Sequence, residues 1–210
     1  MKTRALALAA ALALAGCDDA AYTRRGGQWH HGERPVLEAD ARSFQPLSAQ
    51  FARDAQRGYY RHQPVPGSEG ASFQALSAHE ARDAHRVWWA DTQRDARDLW
   101  SVRHAVVLPV EGADAASYRV LRDDYSLDAR RVYLEGRAIA GAQPGTFVVL
   151  AEGYARDARQ VFHEHRALAG ARVAAFGVVG RGYAHDGQRL WHRGQPVGGA
   201  DVASFALVEP

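Results

Sequence analysis

A 29-residue period runs through this chain and leaves little freedom in how it can fold. Phe44 and Phe73, Tyr118 and Phe147, Phe147 and Phe176, and Phe176 and Phe205 are each 29 positions apart. A second phrase travels with it: an Asp followed five positions later by an aromatic ring. It occurs at Asp54 and Tyr59, Asp83 and Trp88, Asp95 and Trp100, Asp128 and Tyr133, Asp157 and Phe162, and Asp186 and Trp191. A fixed period of roughly 20 to 50 residues marks a repeat architecture, in which a unit too small to bury its own apolar face stacks on its neighbours.

One period, Phe147 to Ala175, reads as strands. Phe147 to Leu150 is short and rich in β-formers, with Phe147 and Val149 on one face. A second strand is predicted near Tyr154 to Arg156. Asp157-Ala158-Arg159-Gln160 then makes a turn, because an Asp carboxylate accepts N–H bonds from the residues that follow it. The chain returns through Val161 and Phe162, β-branched then aromatic. A second tight turn follows, marked by Gly136 and Gly194 in sister units. The fold class is therefore all-β: tandem β-meander or hairpin repeats of about 29 residues. An open array is preferred over a closed propeller, whose four-stranded blades take about 40 residues or more. The period breaks once. Phe73 and Tyr118 are 45 apart, and an extra hairpin at about 89–100, turning at Arg94 to Arg97, accounts for the surplus.

The N-terminus carries an address. Residues 1–16 read as a lipoprotein signal peptide: Lys2 and Arg4 form a charged start, and Ala5 to Ala15 is an Ala/Leu run too short to span a bilayer. Leu14-Ala15-Gly16-Cys17 resembles the bacterial lipobox, which predicts cleavage before Cys17 and lipidation of its thiol. Cys17 is the only cysteine, so no intramolecular disulfide is possible. Residues 17–28 read as a tether after the lipidated Cys17, and 29–210 as the β repeat domain. The expected location is the periplasmic side of a bacterial membrane, lipid-anchored. Asp18 directs the protein to the inner membrane if the enteric retention rule applies, and otherwise the outer membrane is expected. From Cys17 onward the chain carries 24 basic and 24 acidic side chains, a balance that gives nucleic-acid binding no support.

No nucleophile motif, phosphate loop or His-Glu-x-x-His is visible. No cofactor is expected. The repeated Asp residues could supply oxygens to calcium, but one acid per turn reaches the six to eight ligands needed only if units stack in register. They are read as turn formers, each worth about 1 kcal/mol. His163 and His165 could join His30, His31 and Glu33 in a zinc site of a hydrolase, but variable surface histidines are the plainer account. Trp29, Trp88, Trp100 and Trp191 occupy the repeated aromatic position, a core position in most units. Trp89 lies off it, beside the extra hairpin. Trp89 and Trp100 are therefore the candidate binding residues, as a platform for glycan or peptide.

These phrases resemble the DKNYY repeat family of bacterial envelope proteins, whose units carry a Tyr, then Asp-Lys-Asn, then Val-Tyr-Tyr, and an Asp-x-x-Thr-Phe phrase. Tyr154, Asp157, Val161 and Phe162 match, as do Tyr125, Asp128, Val132 and Tyr133, with Gln143 to Phe147 looser. The Lys-Asn pair is replaced throughout by Ala-Arg, Ala-Gln, Ala-His or Gly-Gln. The resemblance covers most of residues 29–210 and implies architecture and location rather than chemistry. The expected function is a non-catalytic envelope lipoprotein presenting a binding or scaffolding surface. The alternative is a glycan or peptidoglycan binder using Trp89 and Trp100. The expected partners are the membrane, through the lipid anchor, and an envelope protein or a cell-wall glycan.

Overall fold

The computed structural model describes residues 22–93 and 104–207. The expected signal segment at residues 1–16, Cys17, Asp18, the turn expected at Arg94 to Arg97 with Asp95, and Trp100 lie outside the described residues. Six antiparallel sheets follow one another along the chain, each a meander whose strands pair in sequence order. The first has three strands: Tyr22–Arg25, Gln28–His31 and Arg34–Pro35. The others have four. In the second these are Gln45–Pro46, Phe51–Arg53, Gly58–Tyr60 and Gln63–Pro64. In the third they are Gln74–Ala75, Glu80–Arg82, Val87–Gln93 and His104–Pro109. The fourth comprises Arg119–Val120, Tyr125–Leu127, Val132–Leu134 and Arg137–Ala138. The fifth comprises Val148–Val149, Tyr154–Arg156, Val161–His163 and Arg166–Ala167. The sixth comprises Gly177–Gly180, Tyr183–His185, Leu190–His192 and Gln195–Val197.

The sheets form an open tandem array, and none closes into a barrel. Four strands fit in 29 residues because the outer strands of most units are only two residues long. Two local expectations change. Phe147 does not begin a strand; it closes the 3-10 turn Pro144–Thr146, and pairing starts at Val148. The tether is shorter than expected, because Tyr22–Arg25 pairs with Gln28–His31 as the first hairpin. The extra hairpin expected at about 89–100 lies largely outside the described residues; within them the third and fourth strands of the third unit pair at length as one ribbon, Trp88 opposite Pro109 through Gln93 opposite His104.

Strand alternation explains the stacking. Adjacent residues on a strand point to opposite faces, so each inner sheet offers an apolar face to both neighbours. In the fifth sheet Ala155 and Phe162 pack toward the fourth, against Tyr125, Leu127 and Leu134. Tyr154 and Val161 pack toward the sixth, against Phe176, Ala184 and Trp191. Five such cores lie between the six sheets, one per junction. The 29-spaced Phe or Tyr of each connector wedges into them; Phe176 sits 5.6 Å from Tyr154 and 5.5 Å from Trp191, ring centre to ring centre.

The repeated Asp stitches each unit to its own connector. Oδ1 of Asp157 accepts the N–H groups of Arg159 and Gln160 at 2.7 and 2.8 Å. Its Oδ2 accepts the N–H of Gln143, fourteen residues earlier, at 2.9 Å. Asp54, Asp83, Asp128 and Asp186 repeat both halves of this arrangement. Tyr59 and Tyr133 add a hydroxyl bond to Asp54 and Asp128. Burial alone would raise the Asp54 carboxyl, but the Tyr59 hydroxyl and three N–H groups outweigh it and hold it below the ordinary range. Asp128 is lowered by the same balance, and Asp186, which has no tyrosine partner, by three N–H groups and the Arg172 charge against the same burial. Depressed carboxyls stabilise the fold above their unfolded value and lose that contribution as pH falls through the folded one.

Between units, a tyrosine hydroxyl donates to a carbonyl 28 residues on: Tyr22 to Gln50, Tyr125 to Gly153, Tyr154 to Gly182. Arg53, Arg82 and Arg156 donate to carbonyls of the next connector, on Ala71, Ala115 and Val173. Each of these bonds joins a unit to the next one along.

Candidate functional site

The junction of the third and fourth sheets departs from the others in three ways. The first is the ribbon. Fourth strands elsewhere have two or three residues; His104–Pro109 has six. Ala105 and Val107 face inward onto the core that holds Phe73 and Trp88. Alternation turns Val106 and Leu108 to the other face, where Leu108 stands opposite Trp89.

The second is the groove that this face makes with the fourth sheet. Its walls are Trp89, Leu108, Pro109 and Glu111 on one side, and Glu135, Gly136, Arg137 and Ala138 on the other. It encloses about 420 Å³, within the range of small-molecule sites. Trp89 is half-buried and stacks on His79, with ring centroids 5.1 Å apart and planes at 21°. Leu108 is 51% exposed. Gly136 lets the fourth sheet approach: a Cβ there would lie 2.5 Å from Trp89 Cβ, and its φ is +72°. The position Trp89 occupies is taken by Tyr60, Leu134, His163 and His192 in other units. At the fifth sheet His165 takes the place of Gly136, and its Nε2 lies 3.2 Å from the Leu134 carbonyl.

The third is a buried polar set. Glu80 is 1% exposed and stands where the other units carry Tyr22, Phe51, Tyr125, Tyr154 and Tyr183. The Tyr118 hydroxyl donates to Glu80 Oε1 at 2.6 Å and lies 2.5 Å from Ser126 Oγ. Tyr118 replaces the Phe of other connectors, and Ser126 replaces the Ala of Ala52, Ala81, Ala155 and Ala184. Three polar replacements thus meet at one junction, where an unpaired buried carboxyl would be costly. Burial drives the Glu80 carboxyl above its ordinary range; hydrogen bonds from Tyr118, Ser126 and Ser77 oppose this and Asp124 adds to it. Burial and Glu80 together push the Tyr118 hydroxyl up as well.

The sign follows. A carboxyl raised in the folded state favours folding while neutral and opposes it once ionised, so its contribution falls as pH rises from the ordinary carboxyl value through the raised one. Glu80→Gln keeps the shape and removes the titration. Melting temperatures from pH 4.5 to 8 are expected to fall more steeply for the parent chain than for Glu80→Gln; parallel curves would refute the buried-acid account.

Of the sequence-stated sites, Trp89 lines the groove, while Trp100 and Cys17 lie outside the described residues. The residues weighed as a possible zinc site are not brought together: His30, His31 and Glu33 belong to the first sheet and its turn, His163 and His165 to the fifth. Among the described residues no three metal-binding side chains cluster. His31 is committed to the Ala49 carbonyl at 2.9 Å. The residues missed from sequence are Leu108, Glu111, Glu135 and Arg137 in the groove, and Glu80 and Ser126 beneath it. Glu80, Tyr118 and Ser126 leave a trace when the repeats are superimposed, as three polar departures from apolar columns. The groove leaves none, because its walls come from two units.

The DKNYY family model matches residues 99–209, more than half of the chain, spanning the fourth, fifth and sixth sheets. No curated protein and no solved structure matches the chain.

Proposed function

The chain belongs to the DKNYY family, and from that premise we propose a lipid-anchored, non-catalytic envelope protein whose repeat array presents the Trp89 groove to a partner. The carrying observation is that the one junction breaking the 29-residue period also opens an apolar groove beside an exposed ribbon. Loops and departures on a rigid scaffold are where binding concentrates. The anchor rests on the charged start, the apolar run and Leu14 to Cys17. Several acyl chains hold firmly, at about 0.8 kcal/mol per buried methylene. The proposed location is the periplasmic side of the membrane, inner or outer according to whether Asp18 acts as a retention signal. No helix among the described residues is long and apolar enough to cross a membrane.

A glycan-binding role is the second reading. Trp89 with Glu111, Glu135 and Arg137 offers a ring face and hydroxyl-bonding groups, the chemistry a sugar needs.

Two measurements test the proposal. Metabolic labelling with a fatty acid is expected to mark the parent chain and not Cys17→Ser; equal label on both would remove the anchor from the reading. Affinity capture from the native envelope is expected to retain a partner that Trp89→Ala and Leu108→Arg both lose. A captured set unchanged by either substitution would place the binding surface elsewhere. Leu108 is exposed, so Leu108→Arg alters the groove with little cost in stability.

A further inference from the structure

His104–Pro109 is a six-residue strand at the open edge of the third sheet. Its inner side pairs with Val87–Gln93 in unbroken register. The Val110 N–H donates to the Val87 carbonyl at 2.8 Å. Antiparallel bonding alternates, so Leu108, Val106 and His104 aim their backbone groups inward, and Ala105 and Val107 aim N–H and C=O outward. Among the described residues nothing meets those outward groups. Native proteins blunt such edges with charge, proline or a bulge. Here the strand has no bulge, no Asp, Glu, Lys or Arg, and only the terminal Pro109. The sister strands are too short to offer a comparable template.

The groove lies beside that edge. A strand added outside His104–Pro109 would point alternate side chains the way Leu108 points, beside Leu108 on the face that carries the groove. Three charged groups line this space: Glu111, Glu135 and Arg137. None has a side-chain partner among the described residues, and the acids outnumber the cation. The edge itself carries no Lys or Arg, so two copies pairing through it would bring acid against acid.

We infer that the partner is an extended peptide that adds a strand to the outer edge of His104–Pro109, setting apolar side chains in the Trp89 groove and a Lys or Arg against Glu111 and Glu135. Main-chain bonds supply affinity in this mode and the alternate pockets supply selectivity. The inference rests on the binding surface proposed above and specifies its occupant.

The probe is a display library of random dodecapeptides, panned on the full chain. Selected peptides are expected to alternate apolar residues and carry a cation. Their affinity is expected to fall at least tenfold with Ala105→Pro, which removes an outward N–H at an edge position where proline is tolerated, and at least tenfold with Leu108→Arg. A measurement on the unaltered chain accompanies these: amide exchange at Ala105 and Val107 should slow when the peptide is added. Unchanged exchange, or affinity lost with Leu108→Arg but kept with Ala105→Pro, overturns strand addition and leaves the groove as a binding surface. Peptidoglycan fragments that quench Trp89 while no peptide is selected would also overturn it, in favour of the glycan reading. Self-association abolished by Ala105→Pro would make the occupant a second copy. If no probe responds to either substitution, the inference and the binding surface fall together.

Discussion

Deleting residues 147–175 is expected to leave a folded protein that melts cooperatively, whereas deleting 147–160 is expected to abolish the transition. The first deletion removes one whole period and joins Thr146 to Phe176. Except for the His165 contact with the Leu134 carbonyl, whose place Gly194 takes, the bonds between the fourth and fifth units then find equivalents in the sixth. Tyr125 loses the Gly153 carbonyl and meets that of Gly182, which already accepts from Tyr154. The Gln143 N–H loses Asp157 and meets Asp186, which already accepts the N–H of Arg172. Phe176 takes the place of Phe147 against Tyr125. In an array where units touch only neighbours, stability is close to a sum of units and interfaces, so the cost is one of each. The second deletion leaves Val161–His163 without Tyr154–Arg156, its pairing partner, and opens two cores at once. Far-ultraviolet circular dichroism and thermal melts read both outcomes. A whole-period deletion as unfolded as the half would show that the units are not interchangeable.

Asp157→Ala is expected to cost about 3 kcal/mol, well above the ~1 kcal/mol of a lost local turn bond. Asp157 is 2% exposed, and its carboxylate accepts three backbone N–H groups. Bonds to a charged acceptor are stronger than neutral ones. Arg159 is exposed and its N–H can turn to water, whereas the Gln143 N–H is held against the unit. The informative companion is Asp157→Asn. Asn is a good turn residue, so a mere turn former would accept it almost without loss. The stitch does not: an amide keeps Oδ1 for Arg159 and Gln160 but places its NH2 against the Gln143 N–H, donor to donor. Denaturant melts should rank the parent above Asn, and Asn above Ala. An Asn chain as stable as the parent would reduce Asp157 to its turn. Asp128→Ala should cost more than Asp157→Ala, because the Tyr133 hydroxyl loses its acceptor too.

The fold was legible in the sequence because its two signals are local and repeated. The Phe spacing sets the period, and the Asp turn followed by Val161 and Phe162 places the central hairpin. The outer strands were less legible. Arg166–Ala167 is two residues with no β-former pattern, held by pairing with His163 and Phe162. Tyr22–Arg25 read as a tether because Tyr-Thr-Arg-Arg has one apolar residue, yet the Tyr22 hydroxyl reaches Gln50 in the next unit. The candidate site was half legible. Trp89 stood out because it falls off the repeated aromatic position. Leu108, Glu111, Glu135 and Arg137 did not, since a groove between sheets is set by how far two units approach, and that distance depends on Gly136 meeting Trp89. Glu80 went unread because a buried acid looks in sequence like any surface acid.

The hydrogen bonds between units carry a kinetic consequence. The Gly194 N–H reaches back 40 residues to the Tyr154 hydroxyl, and Tyr118 reaches back 38 to Glu80; among the described residues the other bonds between units are shorter in sequence. Rates of folding fall as contacting residues grow more distant along the chain, a penalty that usually makes all-β proteins slow. Here the loop to be closed never exceeds about one and a half periods, whatever the number of units. Folding time is therefore set by the first pair of units rather than by the length of the array. Each later unit, as synthesis delivers it, meets a finished face to dock on, and its assembly waits on nothing still to be made beyond its own strands and the connector that follows them.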